Sequence, residues 1–325
     1  MGLILVRLDD DQSNAVRTRS DAASILGVRL SLLAFGFVVT IVVTGATGFI
    51  GSEVIKELSR LGERTLAVSG PRSTQLVKYN NVEWLAYDSD LEELTRRIAQ
   101  VSPTTVVHCA SHYVLHHDAK DIDPMIDANI RIGALLLGAL GDEGTHFVNL
   151  STFFQRQGAK GTQPNSLYAA TKQSFTEIAR WFGTQSNIRV CDVTLFDTYG
   201  PGDRRAKLIP NLLKSAQSGE LIDIVTPDAE INLCFIEDVV AAIAHIVARG
   251  ITGEWSVRAA ANCRVAEVVS EIEAVTNRKI VKKFGTQQPH ASPRLDGPPV
   301  LNAWSPAWSL RMGIAACWKS LQVGK

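Results

Sequence analysis

A phenol and an ammonium four residues apart, in Tyr168-Ala-Ala-Thr-Lys172, can do acid–base chemistry if their segment is helical. Residues i and i+4 of a helix share a face, so both groups point into the same space. A nearby cation favours phenolate and lowers the tyrosine pKa. A phenol tuned in this way passes a proton to or from a carbonyl oxygen near neutral pH. Alone, the spacing describes an ordinary surface helix. Here an apolar run, His146-Phe-Val-Asn-Leu150, precedes it and ends in Ser151-Thr152. Hydroxyls at the C-terminal end of a parallel strand lie where open α/β sheets bind ligands.

Such chemistry needs an element that holds a reaction partner, and Ile41-Val-Val-Thr-Gly-Ala-Thr-Gly-Phe-Ile-Gly51 supplies one. A buried-strand run meets three glycines spaced three apart, Gly45, Gly48 and Gly51, and a helical pattern starts at Ser52. Strand, tight turn and helix start are the context of a dinucleotide fingerprint. The glycines let the backbone approach a pyrophosphate, and free N–H groups at the helix start attract its charge.

Further apolar runs at Thr65–Val68, Thr105–Cys109, Phe147–Leu150 and Arg189–Leu195 read as strands. Helical patterns alternate with them at Leu91–Gln100, Pro124–Leu140 and Leu167–Phe182. The alternation predicts an α/β fold, a Rossmann-type doubly wound parallel sheet with a smaller C-terminal substrate lobe. The dinucleotide-binding domain is expected over 38–199 and the substrate lobe over 200–325, with 236–249 packing back on the first domain. In the lobe, helices are expected at Lys207–Ser218, Asp238–Val247, Val265–Val275 and Ser309–Leu321, and a loop at Gln287–Val300. Residues 1–37 carry no motif and read as an extension of low order. Ile25–Val43 is mostly apolar, but Arg29 interrupts it and its second half feeds the glycine loop, which argues against a membrane span.

Lys+Arg and Asp+Glu both number 33, so no net field argues for nucleic acid or a membrane surface. The five cysteines are scattered, without Cys-x-x-Cys, and read as free thiols in a reducing cytoplasm.

With these motifs placed, the chain from about Val39 onward resembles the extended short-chain dehydrogenase/reductases, the NAD-dependent epimerase/dehydratase family. The resemblance rests on Thr44–Gly51, Tyr87-Asp88, Val106-Val-His-Cys-Ala110, Asn129, Ser151-Thr152, Tyr168/Lys172, Tyr199-Gly-Pro-Gly202 and Glu237-Asp238-Val239. Asn165–Gln173, Asp197–Asp203 and Lys207-Leu-Ile-Pro210 are similar to the CDP-paratose/CDP-abequose synthase branch of nucleotide-sugar 4-ketoreductases. The resemblance implies that Thr152, Tyr168 and Lys172 are catalytic. Thr152 would bond the substrate oxygen, Tyr168 would be the general acid, and Lys172 would hold the nicotinamide ribose and depress the Tyr168 pKa. It implies cofactor contacts from Gly45, Thr47, Gly48, Phe49, Ile50 and Gly51, from Asp88 and Ser89 beside the adenine, and from Ala110 and Ser111. Asn129 would fix the local helix and water geometry. The chain departs from its relatives where dehydratases carry Asp-Glu after the threonine, since Phe153 and Phe154 stand there. It departs again at Asp197, commonly Asn, and at Ile231, commonly Arg.

Cofactor choice falls on Ser69-Gly-Pro-Arg72, which has no acid to meet a ribose 2′-hydroxyl. Ser69 and Arg72 suit the 2′-phosphate of NADP, with NAD as the alternative. His112 and Tyr113 are expected to face sugar hydroxyls. His112, His116, His117 and Asp118 do not form a convincing metal set, and none is expected. Phe153, Asp197, Arg204, Lys207 and Arg294 are the other substrate candidates, the basic ones suited to a nucleotide diphosphate. The leading expectation is NADPH-dependent reduction of a nucleotide-linked 4-keto-6-deoxysugar by a homodimer paired through Pro124–Leu140 and Leu167–Phe182. Its rivals are a nucleotide-sugar 4-epimerase with retained NAD and an NADP(H)-sensing regulatory protein.

Overall fold

The computed structural model describes residues 4–6, 41–70, 77–86, 90–114, 116–141, 144–156, 163–285 and 297–323. Its main sheet contains β1 (Ile4–Val6), β2 (Ile41–Thr44), β3 (Thr65–Ser69), β4 (Val82–Ala86), β5 (Thr105–His108), β6 (His146–Thr152), β7 (Arg189–Leu195) and β8 (Gly253–Val257). Across the sheet the order is β1-β4-β3-β2-β5-β6-β7-β8. From β4 through β6 the pairs are parallel, and Thr44 of β2 lies opposite Val68 on one side and His108 on the other. Chain order reverses between β2 and β5. That is the switch point at which open α/β sheets bind ligands. Every residue of β2, β3 and β5 is buried, which is why these strands read as continuous apolar runs.

Helices α1 (Phe49–Arg60), α2 (Leu91–Gln100), α3 (Ile122–Ile126), α4 (Ile132–Ala139) and α5 (Leu167–Gln185) connect these strands. Asp90 caps α2 by accepting from the Glu93 N–H, and Leu91, Leu94 and Ile98 bury its apolar stripe. The expected helix over Pro124–Leu140 differs in one respect. A π turn, Asp127–Arg131, separates α3 from α4. It places Asn129 fully inside the structure.

The chain divides into two compact units. Among the described residues, the first comprises the chain up to Ser151, Ala170–Asp192 and Ile246–Gly253. The second comprises Thr152–Ala169, Val193–His245 and the chain from Glu254. The units therefore interleave along the sequence, and β6, α5, β7 and β8 each run from one into the other. Helices α6 (Leu208–Ser218), α7 (Ile236–Arg249), α8 (Val265–Thr276) and α9 (Leu310–Val323) follow, near their expected positions. In the second unit Asp238 accepts from the Ala307 and Trp308 N–H groups, and Trp308 stacks on Phe235 with centroids 4.2 Å apart.

Besides Ile4–Val6, two strands of the main sheet escaped the sequence reading. Val82-Glu-Trp-Leu-Ala86 is short and interrupted by a charge, and Gly253-Glu-Trp-Ser-Val257 has weak strand propensity. Both take strand form from their neighbours in the sheet. Ile4–Val6 lies within the stretch expected to stand apart, yet it pairs antiparallel with β4, Leu5 opposite Leu85. An open sheet edge offers unpaired N–H and C=O groups to any extended segment. Residues 7–40 and 286–296 lie outside the described residues.

The first unit's core closes around β5. His108, Phe147 and Phe175 form an aromatic cluster with centroids 5.1 to 6.2 Å apart. Helix α4 reaches it through Gly133, where a Cβ would stand 2.3 Å from Phe175 Cζ. His108 Nδ1 meets Thr44 Oγ1 at 2.9 Å, while Nε2 has no hydrogen-bond partner. Burial, helped by the charge of Lys172, pushes the imidazole down to about 3.

Gly133→Ala is expected to destabilise the protein by about 1–3 kcal/mol through overpacking. Phe175→Leu in the same chain should return part of that loss in a chemical denaturation series. Since the folded His108 pKa lies below its ordinary 6.5, the unfolded chain takes the proton first as pH falls. Stability from this group is complete above about 6.5 and declines toward pH 3, by at most about 1.4 kcal/mol per pH unit. His108→Asn should lose less over that window. Equal acid sensitivity of the two proteins would assign the loss to other groups.

Candidate functional site

The glycine loop is a cradle made by close backbone approach. Gly45 has φ +64°, and a Cβ there would lie 2.7 Å from the Ala110 backbone, just past the end of β5 across the switch point. A Cβ on Gly51 would lie 2.2 Å from the Gly45 carbonyl oxygen. Only glycine fits at either position. Thr47 and Gly48 are exposed, Phe49 and Ile50 half-buried. Helix α1 begins after Gly48 with no side-chain cap and no acidic residue in its first turn. A helix start of this kind suits an anion. Ser69 ends β3 fully buried, and its hydroxyl has no hydrogen-bond partner among the described residues. The cradle, the uncapped helix and this orphaned hydroxyl at the end of the second parallel strand fit a dinucleotide. Arg72, Asp88, Ser89 and Arg294 lie outside the described residues.

Beyond β5 the chain is held by one amide. Asn129 Oδ1 accepts from Ser111 Oγ at 3.0 Å and from the His112 N–H at 2.8 Å. Its Nδ2 donates to the His112 carbonyl at 3.1 Å and to Thr171 Oγ1 at 2.9 Å. An asparagine amide has two acceptor sites and two donors, and all four are used. Asn129 thereby fastens the loop carrying Ala110, Ser111 and His112 to α5 beside Lys172. The His112 ring Nε2 is buried without a partner among the described residues, and Tyr113 is half-buried.

Helix α5 starts where Ser166 Oγ accepts from the Ala169 N–H. It presents Tyr168 and Lys172 on one face, as the i, i+4 spacing requires. Tyr168 is half-buried, whereas Lys172 is only 2 % exposed. Burial pulls the Lys172 ammonium down to about 8, against opposing pulls from Asp192 and Cys109. Thr152, the last residue of β6, is buried, and its Oγ1 accepts from the Phe154 N–H at 3.3 Å.

The remaining candidates separate by what they touch. Phe153 packs on Phe154 with centroids 4.3 Å apart and stacks on Phe196 at 5.0 Å. Lys207 and Asp197 pair with each other at 3.0 Å, and the Lys207 ammonium lies over the Phe154 ring, 5.7 Å from its centroid. Arg204 is exposed, while its neighbour Arg205 pairs with Asp203 and donates to the Thr198 carbonyl. Among the described residues no group of His, Cys, Asp and Glu is arranged to hold a metal ion. No described helix is long and apolar enough to cross a membrane, and all five cysteines are free.

One group went unread in the sequence. Asp192, buried on β7, accepts from Asn149 Nδ2 at 2.5 Å, Ser151 Oγ at 2.7 Å and Thr176 Oγ1 at 3.1 Å. Burial raises its pKa, and those donors and Lys172 oppose the rise. Its signal was available. Asn149 and Asp192 are polar interruptions of two strands that otherwise read as buried, and a polar group there needs a partner.

Comparison with known proteins agrees with this geometry. A CDP-abequose synthase of Salmonella typhimurium is 27% identical over 217 residues, covering 64% of this chain and 69% of that one. A dTDP-4-dehydro-6-deoxy-D-allose reductase from a Streptomyces species is 26% identical over 286 residues, covering 78% of this chain and 86% of the relative. The crystal structure of Bacillus cereus UDP-glucuronic acid 4-epimerase, in complex with UDP-glucuronic acid and NAD, superposes with a TM-score of 0.72. It is 21% identical and covers 88% of this chain and 100% of its own, which establishes a shared fold. The family model of the NAD dependent epimerase/dehydratase family matches residues 41–257, more than half of the chain. The protein is therefore a member of the NAD dependent epimerase/dehydratase family, an enzyme of the NAD(P)-dependent oxidoreductase type.

Proposed function

We propose that this chain reduces the 4-keto group of a nucleotide-linked 6-deoxysugar at the expense of NADPH. One observation carries the choice of reduction over dehydration. The two positions after Thr152, where dehydratases of the family carry an acid pair, hold Phe153 and Phe154 packed against each other. Neither side chain can take or give the proton that loss of water requires. The CDP-abequose synthase and allose reductase relatives support the same substrate class.

In this reading the glycine loop and the start of α1 would hold the cofactor's diphosphate, and Ser69 and Arg72 are the residues proposed to serve its ribose. The absence of an acid in Ser69-Gly-Pro-Arg72 supports NADP over NAD. The bound nicotinamide supplies the hydride that the keto carbon accepts. Tyr168 gives its hydroxyl proton to the substrate oxygen, Thr152 hydrogen-bonds that oxygen, and the Lys172 charge keeps the phenol acidic. Phe153 and Phe154 form an apolar wall suited to a methyl group. Asp197, Lys207, Arg204 and Arg294 serve the nucleotide side, with His112 and Tyr113 toward the sugar.

The test is to incubate the purified chain and NADPH with CDP-, dTDP-, GDP- and UDP-4-keto-6-deoxyhexoses and follow the reduced-nicotinamide absorbance. Loss of absorbance with one of them supports the reading. Tightly retained NAD with interconversion of 4-epimers and no net oxidation would replace it with epimerisation, and cofactor binding without turnover on any sugar would replace it with sensing. Tyr168→Phe is expected to lower kcat by about 10²–10⁴-fold while leaving cofactor affinity close to wild type. Wild-type turnover in a folded Phe variant would remove Tyr168 from the mechanism.

We also propose a homodimer paired through α3–α4 and α5. Of the apolar residues on these helices, Phe175, Leu136 and Leu137 are buried in the core, whereas Trp181 is 59 % exposed and Ile122 and Ile126 are exposed too. An uncovered stripe of this kind can pair with its symmetry mate. Light scattering at micromolar concentration should give a dimer mass for the wild type and a monomer mass for Trp181→Glu. A wild-type monomer with full activity would exclude the dimer.

A further inference from the structure

We propose that His108 is a positioning residue for the cofactor loop. Held as the neutral tautomer with its proton on Nε2, it accepts the Thr44 hydroxyl proton and so aims Thr44 Oγ1 at the backbone that closes the glycine cradle. This role rests on the reading of the glycine loop as the site of the NAD(P) diphosphate.

Strands β2 and β5 run side by side, with Thr44 opposite His108. Both residues are fully buried. Thr44 ends β2 and immediately precedes Gly45. Its hydroxyl has two contacts, with His108 Nδ1 at 2.9 Å and with the Ala110 N–H at 3.3 Å. Its carbonyl accepts from the Cys109 N–H at 3.2 Å. Ala110 is also the residue whose backbone would lie 2.7 Å from a Cβ on Gly45. The spacing between the glycine loop and the chain leaving β5 is therefore set at Thr44.

Proton supply fixes the direction of the Thr44–His108 bond. The Ala110 N–H only donates, so Thr44 Oγ1 accepts there, and the hydroxyl has one proton to give. With the imidazole proton on Nε2, Nδ1 takes the hydroxyl proton and a single group, Nε2–H, is left over. With the imidazole proton on Nδ1, the ring donates to Oγ1 instead. The Thr44 hydroxyl proton and the Nε2 lone pair are then both stranded in the interior. Buried polar groups without partners are costly, so the first arrangement prevails. Nε2 has no hydrogen-bond partner among the described residues. It borders the same gap as Phe175, since a Cβ on Gly133 would stand 3.0 Å from Nε2 and 2.3 Å from Phe175 Cζ. An N–H beside an aromatic ring keeps a weak attraction that a lone pair lacks. Burial keeps the ring uncharged near neutral pH, so no second proton reverses the bond. Without the Nδ1 acceptor the Thr44 hydroxyl has no fixed orientation, and the Ala110 N–H loses an oriented partner.

Nitrogen NMR of the full chain, labelled at histidine, reads the tautomer directly. His108 Nε2 should resonate as a protonated ring nitrogen and Nδ1 as an unprotonated one, assigned by their loss in H108N or their shift in Thr44→Val. The reverse pattern, or two protonated nitrogens near neutral pH, would overturn the proposal. Cofactor affinity tests the positioning. In fluorescence titrations with NADPH and NADH, T44V and His108→Leu should each weaken the tighter-binding nucleotide by about 3–10-fold, the worth of one buried hydrogen bond. The double variant T44V/H108L should stay within about 2-fold of either single variant, because both break the same relay. H108N, which places an amide oxygen near the position of Nδ1, should recover most of the affinity. Losses that multiply in the double variant, or an H108N no better than H108L, would show that His108 only packs. If H108L does not fold, T44V and H108N decide. Loss in the first with near wild-type affinity in the second supports the role, and an unchanged T44V or an H108N as weak as T44V overturns it. A wild type that binds neither nucleotide would remove the role together with the cradle. One that binds a nucleotide but reduces no keto-sugar would fail the proposed reaction and leave the role intact.

Discussion

A lysine buried to 2 % exposure sets the terms for the rest of the first unit. Moving an ammonium out of water costs several kcal/mol unless an anion and hydrogen bonds replace the lost hydration. The charge of Asp192 opposes that cost. Two adjacent strands each contribute a polar residue at a position that would otherwise be apolar, Asn149 on β6 and Asp192 on β7. Ser151 and Thr176 complete the shell around the carboxylate. On the other side His108 is kept neutral, so no second cation adds to the load. The helix that carries Lys172 is pinned twice, through Thr171 to Asn129 and through Thr176 to Asp192.

The glycine loop answers a different constraint, the approach of two backbones at the switch point. Gly45 meets the Ala110 backbone, and Thr44 Oγ1 accepts from the Ala110 N–H. The loop that would face a diphosphate and the loop that leads to Asn129 are therefore one hydrogen-bonded unit. The cofactor side and the α5 side share a frame built from neighbouring strands, which limits how far either can shift alone.

Much of this was readable in the residues because the signals are local. The buried strands are unbroken apolar runs, Leu91–Gln100 and Arg189–Leu195 have the limits expected of them, and Tyr168 with Lys172 follows from helical spacing alone. What escaped depends on partners distant in sequence. The strands Val82–Ala86 and Gly253–Val257 are extended because the sheet has room for them. Asn149 and Asp192 are 43 residues apart and explain each other only when β6 and β7 lie side by side. The pairing of Lys207 with Asp197 likewise requires the turn between them to close. Periodicity reports which face is apolar, and it carries no information about which polar groups meet.

The π turn between α3 and α4 makes the length of this segment a functional quantity. Residues Asp127–Arg131 fit one more residue into a turn than an α-helix would. Removing a single residue from the α-helical turns on either side of it would rotate everything beyond by about 100° relative to the rest. Asn129 would leave Ser111, His112 and Thr171, or Gly133 would leave Phe175. Point substitutions can drift along the exposed side of this helix, but its residue count is locked. An insertion or deletion between Ile122 and Ala139 would uncouple the loop after β5 from α5 even if every side chain in the site were retained.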